Sequence, residues 1–213
     1  MTKKTIWLFI VFLGIYTASL AQPNAKEIMN KVSSVFNRDG GIRIDFSAQF
    51  LLQGRQKGNS RGHICIKANR FALHTPEASS WFNGSTLWSY LSSSEEVNVS
   101  TPSQEELFSI NPYLILNNYR KNYNCALGSR KQFQQQPIHE IILTPLKPQY
   151  DIAAITLYID SKTYRTLFIE VMQNNGYTSR FTIKTYQTQQ SFTNQQFEFD
   201  ARQYPSAEII DLR

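Results

Sequence analysis

The sequence predicts a mainly β (α+β) protein: a single curved antiparallel sheet, either closed into a barrel or open as a half-barrel, with an N-terminal helix and a mid-chain helical insertion. Apolar and polar residues alternate along roughly ten or eleven segments, and turn residues separate these segments. Only two regions show helical spacing instead. A sheet with one apolar face must be covered, and the few helices are the cover available.

Composition places the chain among single-domain globular proteins. Of its 213 residues, 41% are hydrophobic and 18% are charged, which supplies a sizeable core and excludes a disordered chain. Nine Gly exclude a collagen-like repeat, and two Cys are too few to staple a small disulfide scaffold. The formal net charge is +6, and without Lys3 and Lys4 it is 20 minus 16, or +4. Because this excess is mild, we expect no nucleic-acid partner.

Residues 1–21 are typical of a secretory signal peptide. Lys3 and Lys4 precede an apolar run over residues 6–16, and Ser19-Leu20-Ala21 supplies small residues for cleavage. The run is shorter than the about 20 residues that a membrane-spanning helix needs, and an uncleaved anchor is the alternative. We expect cleavage near Ala21 and one domain over residues 22–213. The oxidising, ATP-poor compartment beyond the membrane excludes kinases, nucleotide-driven motors and DNA readers.

Two regions predict helices. Asn24 and Glu27 form a capping pair, after which apolar residues share one helical face until Gly40-Gly41 ends the helix; they are Ile28, Val32, Val35 and Phe36. In mid-chain, the spacing predicts helices from Ser103 to Ser109 and from Pro112 to Tyr119.

Alternation with a period of two predicts the strands. It is clearest from Ile42 to Leu52, stops at a polar turn over residues 54–60 and resumes around Ile64. Asn83-Gly84 marks a hairpin. Further strands are predicted over residues 86–91, 97–99, 123–129, 138–144, 153–160, 166–173 and 178–187, and a last short one near Phe197 and Phe199.

The residues that carry chemistry form no catalytic pattern. His63, His74 and His139 lie on separate predicted strands, and the sequence after His139 lacks the second His of the helical zinc-protease motif. We therefore expect neither an enzyme nor a cofactor or metal site. Cys65 and Cys125 either form a disulfide or remain two buried thiols.

Three segments resemble the LolA family of periplasmic carriers of outer-membrane lipoproteins. A Gly-led strand over residues 62–67 leads through a short turn to residues 70–73, and a Trp-containing hairpin follows over residues 81–90. The helix before a long strand, Asn111-Pro112-Tyr113 in the mid-chain insertion and the closing Phe197-Glu198-Phe199 also resemble this family. The resemblance covers essentially the whole chain after the signal peptide.

This resemblance implies that the sheet forms an unclosed half-barrel, covered by the N-terminal helix and a mid-chain helical lid. It also implies a carrier that makes and breaks no bond. It would accept the acyl chains of lipoproteins from an inner-membrane releasing transport complex and pass them to an outer-membrane acceptor. Acyl chains cannot cross water uncovered, because each exposed CH₂ costs about 0.8 kcal/mol. The predicted location is the periplasm, and the expected state is a monomer.

Strand alternation and the resemblance together select the candidate site. The predicted wall of the acyl cavity is Phe46, Phe50, Ile64, Ile66, Phe71, Leu73, Trp81 and Trp88, and the predicted lid residues are Leu107, Phe108, Tyr113 and Leu114. Family members often carry an Arg directly after the Lys that ends the Gly-led strand, where it holds the lid. Here Ala68 follows Lys67, so Arg70 is the candidate for that role.

Two other function classes remain open from the sequence. The first is a periplasmic module on the same fold that binds or senses other amphiphiles, such as glycolipids. The second is a hydrolase, for which no acid, base and nucleophile constellation is visible.

Overall fold

The computed structural model describes residues 24–147 and 151–213. The predicted signal peptide lies outside the described residues. Helix α1 spans Ala25–Arg38, and its predicted cap is confirmed: the Asn24 side chain accepts from the Glu27 N–H, and the Glu27 carboxylate accepts from the Asn24 backbone. Buried residues on one side of α1 then attach it to the sheet; they are Ala25, Ile28, Met29, Val32 and Phe36.

Within the described residues, thirteen strands form one sheet, and the sheet does not close into a barrel. The strands run in the order β13-β6-β5-β4-β3-β2-β1-β12-β11-β10-β9-β7, with β8 beside β9. The first six are β1 (Ile42–Leu52), β2 (Arg55–Lys67), β3 (Arg70–His74), β4 (Ala78–Phe82), β5 (Leu87–Leu91) and β6 (Glu96–Ser100). The others are β7 (Tyr123–Leu127), β8 (Gln132–Phe133), β9 (Gln136–Pro145), β10 (Ile152–Asp160), β11 (Thr166–Gln173), β12 (Tyr177–Gln187) and β13 (Glu208–Asp211).

The mid-chain insertion forms the predicted helices. Helix α2 spans Gln104–Ile110, a 3₁₀ turn follows over Pro112–Leu114, and helix α3 spans Ile115–Asn122. Ser103 caps α2 by accepting from the Glu106 N–H. In the part of the chain that the structure describes, no helix combines the length and apolarity needed to cross a bilayer.

Two strand predictions are wrong. Residues 54–60 are not a polar turn but the first half of β2, because Gln53 and Gly54 alone make the turn, with φ of 50° and 77°. Phe197 does not lie in a strand either, since it ends the 3₁₀ helix Asn194–Phe197. The last strand is β13, which pairs in parallel with β6, whereas the other neighbouring strands are antiparallel.

The sheet has an inner and an outer face, each with its own apolar cluster. The inner cluster joins α1, the mid-chain helices and residues such as Ile44, Ile66 and Leu157. The outer cluster is smaller: Cys65, Ala72 and Trp81 pack there against Phe197 from the C-terminal segment. Both faces are therefore covered, the inner one by helices and part of the outer one by the end of the chain.

Two histidines face each other at the edge of the outer cluster. The rings of His63 and His74 lie 5.0 Å apart, and His74 also contacts Trp81 with a ring distance of 5.3 Å. Burial, together with the charges of His63 and Arg43, lowers the pKa of His74 from 6.5 to about 4. Burial and Arg43 lower the pKa of His63 as well, although Asp45 opposes this.

We predict that these rings make the fold less stable in acid. The His74 ring takes up a proton near pH 6.5 in the unfolded chain but only near pH 4 in the folded chain. Its contribution to the free energy of unfolding is therefore fully present above pH 6.5 and is lost as the pH falls from 6.5 to about 4. The expected loss is about 1–2 kcal/mol, less than the full shift because the ring is partly exposed. Urea unfolding at several pH values measures it.

The variant His74→Gln should flatten this pH dependence. The matched control is His139→Gln, because burial also lowers the pKa of His139 but its ring is less buried than that of His74. An unchanged pH profile in His74→Gln would contradict the assignment.

Candidate functional site: an apolar cavity under the lid

A cavity of about 490 Å³ lies on the inner face, between the sheet and the mid-chain helices. Most of its lining is apolar. Strands β1 to β4 and β12 provide one side, and the connection from α2 to the following 3₁₀ turn provides the other. The lining residues are Phe46, Ala48, Phe50, Asn59, Ser60, Ile64, Leu73, Thr75, Glu77, Ala78, Ser80, Ile110, Asn111, Pro112, Tyr113, Phe181 and Ile183.

Period-two alternation, a glycine opposite Phe50 and a β-bulge between β1 and β12 shape the strand wall. Phe46 and Phe181, on neighbouring strands, pack edge to face with their ring centroids 5.8 Å apart. Gly58 pairs with Phe50, and a Cβ built there would lie 3.9 Å from the Phe50 ring. The pairing of β1 with β12 shifts between Asp45 and Phe46. Because of this bulge, Ile183 and Tyr186 both reach the inner core although they are three residues apart.

The lid crosses the cavity at residues 110–113. Asn111 is fully buried. Its side-chain oxygen accepts from the Tyr113 backbone N–H at 3.1 Å, and its backbone N–H donates to the Leu107 carbonyl. This capping bond and Pro112 fix the sharp turn between α2 and the 3₁₀ helix. The turn presents Ile110, Pro112 and Tyr113 to the cavity.

Polar groups are concentrated at one end of the cavity. Ser60 donates from its hydroxyl to the Glu77 carboxylate at 2.6 Å, and this hydrogen bond lowers the pKa of Glu77. Thr75 accepts from the Ala78 N–H in the adjacent turn. Glu77 is exposed, so this end of the cavity meets solvent.

The structure places most of the predicted site residues on the inner face. Five of them line the cavity: Phe46, Phe50, Ile64, Leu73 and Tyr113. Ile66 and Phe71 belong to the buried inner core and are not among the lining residues. Of the other predicted lid residues, Leu107 and Leu114 pack against the inner core, and Phe108 is buried.

The prediction that Trp81 and Trp88 belong to the cavity wall is wrong. They pair across β4 and β5, but both side chains join the outer cluster, on the opposite face from the cavity. Their strand neighbours Phe82 and Leu87 occupy the inner face instead. The sequence did not reveal which face of the sheet each Trp side chain occupies, because the adjacent residues Trp81 and Phe82, and likewise Leu87 and Trp88, are both apolar.

Arg70 does not hold the lid. Its guanidinium donates to the Asn194 side chain and lies 5.3 Å from the centre of the Phe197 ring, so it attaches the C-terminal segment to the outer face. Among the predicted lid residues, Tyr113 contacts helix α1. Its ring stacks on Phe36 of α1 at 6.0 Å, and burial raises its pKa well above the ordinary value.

Both cysteines are free. Cys65 lies in the outer cluster, whereas Cys125 packs against the inner core, so the sheet separates them and the disulfide alternative is not realised. Burial raises the pKa of both thiols, that of Cys125 to about 11. Among the described residues, no three His, Cys, Asp or Glu side chains lie close enough to hold a metal ion.

Six apolar lining residues are absent from the sequence prediction: Ala48, Ala78, Ile110, Pro112, Phe181 and Ile183. Alternation along β12 marks Phe181 and Ile183 as one face, but only the pairing of β12 with β1 brings that face beside Phe46. That pairing joins segments more than a hundred residues apart and leaves no local signal.

An unclosed sheet with a lidded apolar cavity on its inner face defines a binding protein of the half-barrel class. The family model described as outer membrane lipoprotein carrier protein LolA matches residues 16–175. The chain therefore belongs to the LolA family. A search among curated proteins found no match.

Two solved structures show the same fold at low sequence identity. An uncharacterized conserved protein from Thermus thermophilus has a TM-score of 0.58 at 12% identity, covering 88% of this chain and 98% of the other. A DUF1329 family protein from Desulfovibrio piger has a TM-score of 0.50 at 9% identity, with 83% and 98% covered. A LolA superfamily protein from Nitrosomonas europaea has a TM-score of 0.46 at 11% identity, with 84% and 99% covered.

We predict that Tyr113→Phe leaves stability unchanged or raises it by up to about 1 kcal/mol. The Tyr113 hydroxyl is buried without a hydrogen-bond partner among the described residues, so its removal relieves a desolvation cost. The matched control is Tyr119→Phe, because that hydroxyl donates to Asn30 at 2.6 Å and its loss should cost about 1 kcal/mol. Urea unfolding measures both, and a loss of stability in Tyr113→Phe would contradict the prediction.

Proposed function

We propose that this chain is a periplasmic carrier that buries the acyl chains of lipoproteins in the inner-face cavity. The observation that carries the proposal is the apolar cavity between the sheet and the lid. Its volume of about 490 Å³ falls within the roughly 300–1,000 Å³ of pockets that enclose a small ligand. Membership of the LolA family supports the same function.

The cavity stabilises a bound chain by removing CH₂ groups from water. Each group contributes about 0.8 kcal/mol, so even part of an acyl chain supplies several kcal/mol. The polar end at Ser60 and Glu77 leaves an exit for the part of the cargo that stays in water. In the proposed cycle the chain receives its cargo from an inner-membrane releasing transport complex and delivers it to an outer-membrane acceptor. The predicted signal peptide supports a periplasmic location.

Release requires the lid to move, and the lid is built for limited stability. Helix α2 and the 3₁₀ turn contain seven and three residues, and neither is long enough to be stable alone. Leu107, Ile110 and Leu114 pack against the inner core. Tyr113 inserts beside Phe36, where its hydroxyl is buried without a partner among the described residues. The lid can therefore open without breaking the sheet.

We predict that Phe50→Glu abolishes the binding of a fluorescent fatty acid, with an affinity loss of about tenfold or more, because a carboxylate in the cavity would have to be desolvated. The matched control is Phe133→Glu. Phe133 is also half-buried, but it packs on the outer face against Tyr158 and Phe168. Fluorescence titration measures affinity, and thermal unfolding verifies the fold. Equal affinity in Phe50→Glu and the original protein would contradict the cavity assignment.

Native mass spectrometry of the protein purified from its own host tests the cargo. The carrier proposal predicts triacylated peptides or intact lipoproteins among the molecules that dissociate from it. Free lipids without lipoprotein would instead favour the second candidate, a module for other amphiphiles, since an apolar lining does not distinguish one acyl chain from another. The wild-type protein and Phe50→Glu are compared in parallel, because cargo in the cavity should be lost from the variant.

A further inference from the structure

The outer face carries a second cavity, of about 500 Å³, which we call the outer pocket. It lies between strands β3 and β4 and the C-terminal segment 193–204. His74 and Trp81 lie at the sheet side, while Phe199 and Tyr204 come from the C-terminal segment. In contrast to the inner-face cavity, most of its lining is polar. The whole thickness of the sheet separates the two cavities.

The C-terminal segment is held firmly against the sheet, so the outer pocket is preformed. Phe197, a residue of this segment, is fully buried against the sheet, and the Arg70 guanidinium lies over its ring. Lys67 donates from its ammonium group to the Phe192 carbonyl at 2.9 Å. Beyond the pocket, pairing of β13 with β6 fixes the chain again. A pocket whose walls are already ordered loses little entropy when a ligand binds.

Three aromatic rings form the apolar part of the outer pocket. The Trp81 ring centroid lies 5.5 Å from that of Phe199 and 5.6 Å from that of Tyr204. Phe199 and Tyr204 are themselves 5.3 Å apart and only partly buried, so they keep surface for a ligand. Such rings bind the C–H face of a flat, partly apolar ligand.

The polar part of the outer pocket offers both donors and acceptors. Gln195 and Glu198 are exposed at its rim, and Gln203 provides a second side-chain amide. Asp200 is engaged by its neighbour Arg202, with contacts of 2.8 and 2.9 Å. This pair leaves little net charge, and His74 is neutral at pH 7 because burial lowers its pKa to about 4.

We propose that the outer pocket binds a saccharide. Sugar hydroxyls donate and accept at the same time, which matches a rim of amides and a carboxylate, while the C–H face of a pyranose ring packs on aromatic side chains. An anion would be repelled by the carboxylates of Glu198 and Asp200, which outnumber the single guanidinium of Arg202. An acyl chain would leave the polar groups at the rim without hydrogen-bond partners. The inference does not rest on the proposed carrier function, because the two cavities lie on opposite faces.

Saccharide binding is tested on the full chain with saturation-transfer NMR and calorimetric titration. The probes are glucose, galactose and N-acetylglucosamine, each as monomer and disaccharide. At least one should bind, and Gln195→Ala and Glu198→Ala should each weaken it by about fivefold, the cost of one hydrogen bond. Both residues are exposed, so these variants should fold. Tyr204→Ala, verified by thermal unfolding, tests the aromatic contribution.

Phe50→Glu is the matched control, because it alters the inner-face cavity and should leave saccharide affinity unchanged. Saccharide binding can therefore be observed even if the carrier proposal fails, and acyl binding can be observed even if no saccharide binds. The inference is overturned if none of the sugars binds at about 10 mM, or if binding persists undiminished in the rim variants. Binding of choline without any sugar would also overturn it, by showing that the rings recognise a cation.

Discussion

An open sheet exposes the apolar side of its strands unless other parts of the chain cover it, and this constraint organises the molecule. Helix α1 covers the middle of the inner face through Ile28, Val32 and Phe36, all of them buried. The mid-chain helices cover the region beside it, anchored by Tyr113, Ile115 and Leu116. The cavity is the part of this face that these helices leave unfilled, so the candidate site is a direct result of incomplete coverage.

The same alternation that builds the inner core also creates the outer face. On β4, Phe82 enters the inner core while its neighbour Trp81 enters the outer cluster. On β2, Ile64 and Ile66 point inward and Cys65 points outward. The bulge in the pairing of β1 with β12 changes this parity locally, which is how Ile183 and Tyr186 both reach the inner core. One sheet thereby presents an apolar cavity on one side and a polar aromatic pocket on the other.

Much of the fold could be predicted from the sequence, because its signals are local. The cap at Asn24, the alternation along β1 and the turn at Asn111-Pro112 each depend on neighbouring residues, and the structure confirms all three elements. The site was harder. The two halves of β2 differ in polarity, so residues 55–60 resemble a loop although pairing with β1 extends the strand through them. The faces of Trp81 and Trp88 depend on long-range packing, as does the contact of Arg70 with the C-terminal segment.

The pairing of β1 with β12 determines the order in which the chain can fold. Thr185 donates to Asp45 across these strands, although the two residues are 140 positions apart. One edge of β1 therefore remains open until β12 reaches it, and contacts of such high sequence separation form slowly. During that interval an eleven-residue strand with an apolar face exposes its backbone to any other strand. Shortening the chain before β12 would make this temporary edge permanent and would turn the protein into a template for aggregation.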